Sequence, residues 1–169
     1  MWDIIESEAW AVRRWAEEYI RAKKHASYMV YLNDADSLAC ACMFSSVVLL
    51  HRLCGRGIEA MLVSSQHHGA IEVDGLIIDI TATQADNSFK PVEIRTVESF
   101  QEHFLQTSRG DLAQWWDFSH SFTSVDMVFD VYRSDRDEGW CDTQFWRKYR
   151  DLQKTLKHAD KWIEQYCTK

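Results

Sequence analysis

The sequence predicts an α+β domain, because two kinds of hydrophobic pattern occupy separate stretches of the chain. Apolar residues recur at helical spacing near both ends, whereas the centre holds short β-branched runs broken by glycine. Between them the apolar run CMFSSVVLLHRL, opening at Cys42 and closed by Cys54-Gly55-Arg56-Gly57, has the length of a buried helix and a glycine stop.

Residues 2 to 24 set Ile4, Ile5, Trp10, Trp15, Tyr19 and Ile20 among charges, which predicts an amphipathic helix. The short segment Tyr28 to Leu32 leads into the polar loop Asn33-Asp34-Ala35-Asp36-Ser37. Asp36 or Ser37 is the expected cap of the next helix, which puts Cys42 inside its first two turns. After Gly57, the runs IEAMLVSS and GAIEV predict two strands separated by Gln66-His67-His68, and Asp74-Gly75 is a two-residue hairpin turn into LIIDIT. A polar loop then runs to Pro91, followed by a strand at Val92 to Arg95 and a helix at Val97 to Leu105. Trp115, Trp116, Phe118 and Phe122 form an aromatic cluster, and Val125 to Tyr132 alternates as a strand would, with helix as the alternative. Gln144 to Tyr166 spaces Phe145, Tyr149, Leu152, Leu156, Trp162 and Ile163 as a long amphipathic helix capped by Asp142 or Thr143. No repeat or interdomain linker interrupts the chain, so residues 1–169 are expected to form one domain.

Composition narrows the function classes. With 46% hydrophobic and 13% aromatic residues, a chain of 169 residues has material for a real core. Nineteen basic against 26 acidic residues leave a net charge of −7, which disfavours nucleic acid as a partner, and Lys23-Lys24-His25 is too short to reverse that. No apolar run reaches membrane-spanning length, and MWDIIESEAW carries acids where a signal peptide carries Lys or Arg, so a cytoplasmic protein that does not engage the membrane is expected. Five cysteines at irregular spacing point to free thiols in a reducing compartment.

The stretch from Cys42 to Asp79 carries the chemistry. With Asp74 and Gly75 as the turn, Val73 faces Leu76, Ile71 faces Ile78 and Ala70 faces Asp79, so His68 and Asp79 share one face and lie within reach of each other. A slip of one residue would separate them. If the first turn of the Cys42 helix packs against that face, thiol, imidazole and carboxylate converge. Cysteine is nucleophilic only as thiolate, and a histidine that takes its proton lowers the thiol from its free value of about 8.5. A carboxylate on the far ring nitrogen orients the imidazole and stabilises its cation. Asp79 in the middle of an apolar strand needs a partner in any case, and His68 is the simplest one. Cys40 and Cys54 read as core residues, since free cysteine is among the most buried types.

This segment resembles the transglutaminase-like branch of the papain-like cysteine enzymes. The matching residues are Cys42 at the start of a helix, Ser45 and Ser46 one turn on, Gly57-Ile58, then His68-Gly69-Ala70-Ile71-Glu72 and Asp79-Ile80-Thr81, with Ala70 where the family often has tryptophan. The resemblance covers residues 40 to 84, about a quarter of the chain. It implies a papain-like core in which the Cys42 helix packs on a small antiparallel sheet between flanking helices. It also implies a Cys42, His68, Asp79 site without metal or other cofactor, acting on a protein or peptide substrate. The expected activity is that of a cysteine hydrolase (protease, isopeptidase or amidase), or of an acyltransferase or deamidase of transglutaminase type. The alternative from another class is a non-catalytic domain that binds a protein partner through its Trp-rich C-terminal half. Gln66, Asn33 and Gln84 are each able to donate to an oxyanion. Trp115, Trp116, Trp140 and Trp146 have the makings of a peptide groove, although clustered aromatics are more commonly core. Zinc is the rival chemistry, through Cys40, Cys42, His51, Cys54, His67 and His68, but Cys40 and Cys42 on one helix point apart and no Cys-x-x-Cys knuckle exists.

Overall fold

The computed structural model describes residues 1–23, 41–65, 68–130 and 152–167, with the side chains of 20–23 and 152 outside that description. The Tyr28 to Leu32 segment, the loop at Asn33 with its candidate caps, Cys40, Gln66, His67, Cys141, the tryptophans 140 and 146, and the beginning of the last helix with its caps lie outside the described residues.

Four longer helices, a helical stretch at residues 125–130, two 3-10 turns and one antiparallel sheet are found among the described residues. Helix α1 spans Trp2–Lys23 and α2 Cys42–Gly55. Strands β1 (Met61–Ser64), β2 (Gly69–Val73) and β3 (Leu76–Asp79) follow, then β4 (Glu93–Arg95), α3 (Val97–Leu105), β5 (His120–Phe122) and α4 (Leu152–Tyr166). The strands are ordered β4-β3-β2-β1-β5, with every pairing antiparallel. Among the described residues no helix is long and apolar enough to cross a membrane.

The hairpin register is the one the counting predicts, with Ile71 opposite Ile78 and Val73 opposite Leu76. Both turn residues have positive φ, 51° at Asp74 and 76° at Gly75, the combination that suits the twist of a two-residue hairpin. Because side chains alternate, this register divides the sheet into two apolar faces. Leu62, Ile71 and Ile78 form a row beneath the helices, packed with Ile5, Val12, Leu49, Leu50, Leu53 and Ile163. Val63, Ala70 and Ile77 form the opposite row, covered by Phe89, Phe100, Phe104 and Trp116. Thr96 starts α3 with its hydroxyl accepting from the Ser99 N–H at 3.2 Å, a cap worth about 1 kcal/mol.

Several expectations need correction. Residues 125–130 are helical, so the alternation from Val125 does not make a strand there; Val128 is buried against the helical layer while Met127 is exposed. Ile4 and Trp10 of α1 face outwards, and the buried stripe runs through Ile5, Ala9, Val12 and Ala16 at steps of four and three. Phe122 belongs to the helical layer, apart from Trp116 and Phe118. Cys54, expected in the core, is exposed in the last turn of α2, although Leu53 beside it is fully buried.

Candidate active site

Helix α2 begins at Cys42 itself. Ala41 is its N-cap residue, and among the described residues no side chain caps it; Asp36 and Ser37, the expected caps, lie outside them. The thiol therefore sits at the first helical position, one or two turns nearer the helix start than the expected caps would put it. The partial positive charge of the helix terminus is felt most there, and it favours thiolate. One turn on, the Ser45 hydroxyl donates back to the Ala41 carbonyl at 2.5 Å, and the Ser46 hydroxyl donates to the Gly69 carbonyl at 3.1 Å. Gly69 is where helix and strand meet most closely: a Cβ on it would lie 2.2 Å from the Met43 sulfur. A larger residue would displace the Met43 side chain, while the Met43 Cα, 3.5 Å away, stays at ordinary contact distance.

His68 precedes β2 and is held by its own backbone. Its N–H donates to Ser65 Oγ at 3.1 Å, and its carbonyl accepts from the Ser65 N–H at 2.9 Å. The ring is buried, with Nε2 2.5 Å from Asp79 Oδ2. Asp79 is buried as well and uses both oxygens. Oδ1 accepts from the Thr81 N–H at 2.7 Å and the Thr81 hydroxyl at 3.1 Å, while Oδ2 also accepts from Trp116 Nε1 at 3.3 Å. Four donors on one carboxylate match its four lone-pair directions.

The Cys42 thiol lies close enough to the His68 ring and to the backbone N–H groups of Gly69 and Met43 for each of them to act on it. Helix α2 packs on the Ile71 and Ile78 face, whereas Asp79 shares the other face with Ile77 and Trp116. The expectation that α2 would cover the face of Asp79 is thus corrected. Thiol and imidazole meet at the start of β2, where Gly69 leaves room for the Met43 side chain.

The electrostatics follow from these partners. Burial alone would push the Cys42 thiol up, but the His68 hydrogen bond and charge, with the two backbone donors, hold it below the ordinary cysteine value. Burial would push His68 down, and the charge and hydrogen bond of Asp79, with a further contribution from Cys42, raise it instead to about 10. Asp79 stays below the usual carboxylate range: burial opposes ionisation, and His68 and Thr81 outweigh it. All three shifts run towards the charged forms, thiolate, imidazolium and carboxylate.

Two tryptophans and a glutamine complete the site, and sequence spacing alone selected none of them. Trp115, half-buried, stacks on the His68 ring with centroids 5.7 Å apart, and Trp116 meets it edge-on at 5.3 Å. Gln84 Nε2 lies 3.2 Å from His68 Nδ1, the ring nitrogen that Asp79 leaves open, and 3.3 Å from Thr81 Oγ1. Of the three candidate oxyanion donors, Gln84 is the one the described residues bring to the site; Asn33 and Gln66 lie outside them. Its signal in the sequence is its position three residues beyond Thr81, where a 3-10 turn at Ala82–Gln84 brings it back over the strand end. Among the described residues no three His, Cys, Asp or Glu side chains form a group that could hold a metal ion. His51 is engaged with Asp160 at 3.0 Å at the other end of α2.

Comparison of the chain with protein-family models, with curated proteins and with solved structures returned no match.

Proposed function

We propose that the protein is a cysteine hydrolase acting on an amide, isopeptide or related acyl bond of a protein or peptide substrate, with a core of the papain-like, transglutaminase-like type. The observation that carries this reading is the convergence of the Cys42 thiol, at a helix start, on a buried His68 ring that is hydrogen-bonded to a fully partnered Asp79. A purely structural cysteine has no use for a raised imidazole beside it.

In this mechanism Cys42 attacks the acyl carbonyl as thiolate, and the carbonyl oxygen takes the negative charge of the tetrahedral intermediate. Backbone N–H groups at the α2 start and the Gln84 amide are the nearby donors suited to that oxygen. His68 gives its proton to the leaving amine, the C–N bond breaks, and a thioester on Cys42 remains. Water, deprotonated by the now neutral His68, then displaces the thiolate and releases the acid. If an amine takes the place of water the product is a new amide, which is the acyl-transfer variant of the same chemistry.

An electrophilic acyl probe, such as a peptide vinyl sulfone, tests this reading when applied to the folded protein and to Cys42→Ala. Labelling that maps to Cys42 and vanishes in Cys42→Ala is expected. Asp79→Asn should slow labelling strongly at unchanged substrate binding, since it removes the charge that stabilises the imidazolium. A Cys42 that stays unlabelled while another cysteine reacts would reject the thiol site in favour of a protein-binding role.

A further inference from the structure

Arg13 is a buried cation on α1, only 2% exposed, and belongs to no part of the hairpin or the thiol helix. Taking a guanidinium out of water costs several kcal/mol unless it is paired and hydrogen-bonded. A leucine would fill the same apolar stripe without that cost, so the contacts Arg13 makes need a reason. Its Nε meets Glu17 Oε1 at 2.5 Å, which balances the charge within the helix. Its Nη1 is directed at one short segment of chain: it donates to the Ile80 carbonyl at 2.8 Å, to Thr83 Oγ1 at 3.0 Å and to the Pro91 carbonyl at 3.4 Å.

The first of these contacts reaches the site. The Ile80 carbonyl and the Thr81 N–H are opposite ends of a single peptide unit, and the Thr81 N–H is the group that donates to Asp79 Oδ1 at 2.7 Å. A peptide unit is a rigid plate with C=O and N–H pointing opposite ways. Gripping the oxygen from one side fixes the direction of the N–H on the other. A cation on the oxygen also polarises the unit, which strengthens the hydrogen bond that its N–H gives to the carboxylate. The second contact holds Thr83, in the turn that carries Gln84 to His68.

We propose that Arg13 is a positioning residue of the site, orienting the 80–81 peptide plane so that Asp79 keeps Oδ2 on His68. This inference rests on the reading of Cys42, His68 and Asp79 as a thiol site, and it joins α1, outside the segment that carries the family resemblance, to the chemistry.

The test compares Arg13→Met, Arg13→Lys and Arg13→Gln with the unaltered chain. It uses the NMR titration of the His68 ring, the iodoacetamide labelling of Cys42 as a function of pH, and a melting curve. In Arg13→Met the His68 titration should fall from about 10 towards the ordinary histidine range. The acid limb of Cys42 labelling should move up by about one pH unit, slowing labelling near neutrality about tenfold. Arg13→Lys, which keeps a cationic donor, should restore labelling to within about threefold. Arg52→Met is the control for loss of stability alone, and should leave both profiles in place. Folded Arg13→Met with both profiles unchanged would overturn the proposal. Should that variant fail to fold, Arg13→Gln decides: it keeps an amide donor without the charge, an intermediate shift supports the proposal, and unaltered profiles overturn it. A Cys42 that is inert in the unaltered protein would defeat the proposed function, whereas the His68 titration still reads the effect of Arg13 without any thiol chemistry.

Discussion

At its C-terminal end α2 carries Arg52, buried between Glu8 of α1 and Asp160 of α4; at its N-terminal end it carries Cys42, against a His68 that is buried with Asp79. Both clusters withdraw charge from water, and both surround it with short hydrogen bonds. Arg52 Nε lies 2.5 Å from Glu8 Oε2, its Nη1 2.8 Å from Asp160, and Arg56 adds a further contact to Glu8 at 2.8 Å. The difference lies in which proton can move. Burial works against the charge of Arg52, but its carboxylates outweigh it and hold the guanidinium above its already high value, and Glu8 is held low despite burial by Arg52 and Arg56. Neither has a proton to give or take near neutrality, so this cluster clamps three helices. His68 has a proton that it can surrender, and a nucleophile within hydrogen-bond reach. Burial of charge marks cost; chemistry needs, in addition, a titratable member and something for it to activate.

The comparison is broken most sharply at His68. In His68→Ala, alkylation of Cys42 near neutral pH should slow about a hundredfold, the scale of a lost general base. In the unaltered protein Cys42 should react well ahead of Cys40, Cys54, Cys141 and Cys167. Peptide mapping after limited iodoacetamide treatment reads both, and equal labelling of Cys42 and Cys54 would erase the distinction between the two ends of α2. At the other end Arg52→Met leaves the buried Glu8 with the half-exposed Arg56, just beyond α2, as its partner, and should cost about 3–5 kcal/mol in denaturant unfolding. The Cys42 labelling profile should not change; a shifted profile would mean that the clamp also tunes the site.

Stability against pH sharpens the contrast further. His68 is raised from 6.5 to about 10 on folding, so its contribution is complete below pH 6.5 and is lost progressively as pH rises towards 10. Cys42 has the opposite sign: lowered from 9.0, it contributes fully above that pH and loses its contribution as pH falls through its folded value. Asp79 and Glu8 are both depressed, so each stabilises above its unfolded value and ceases to do so as acid protonates it in the folded state. Acid should therefore weaken both clusters, and alkali only the one with His68. Melting curves of the unaltered chain and His68→Gln should differ most below pH 6.5 and converge near pH 10. A constant difference across that range would show that His68 is neutral when buried. The smallest effect is expected from Trp116→Phe, which removes one of four donors to Asp79. Labelling of Cys42 should slow about threefold or less, because this is the longest of the four contacts and the other three donors stay on the carboxylate.

The parts of this molecule that were legible in the sequence are those governed by local rules. Asp74-Gly75 between two β-branched runs fixed the hairpin, and the hairpin fixed the pairing of Ile71 with Ile78 and the approach of His68 to Asp79. The helices at 97 to 105 and after Cys42 followed from periodicity and glycine stops. Long-range partners left no such trace. Trp116 reaches Asp79 across 37 positions and Arg13 reaches Ile80 across 67, and nothing in the spacing of either residue marks its target. The helical stretch at 125–130 was misjudged because an alternating pattern over so few residues satisfies both periods. Cys54 shows the limit of residue averages: cysteine is usually buried, but here the neighbouring Leu53 takes the core position and Cys54 is exposed.

The indoles on either side of the buried pair give the site an optical property. Trp115 lies flat against the His68 ring and Trp116 is bonded to its carboxylate partner. A protonated imidazole quenches the emission of an adjacent indole by accepting charge from its excited state, and a neutral one does so far less. The fluorescence difference between the protein and its His68→Gln variant is thus a direct record of the charge on one ring, measurable without substrate, label or assay.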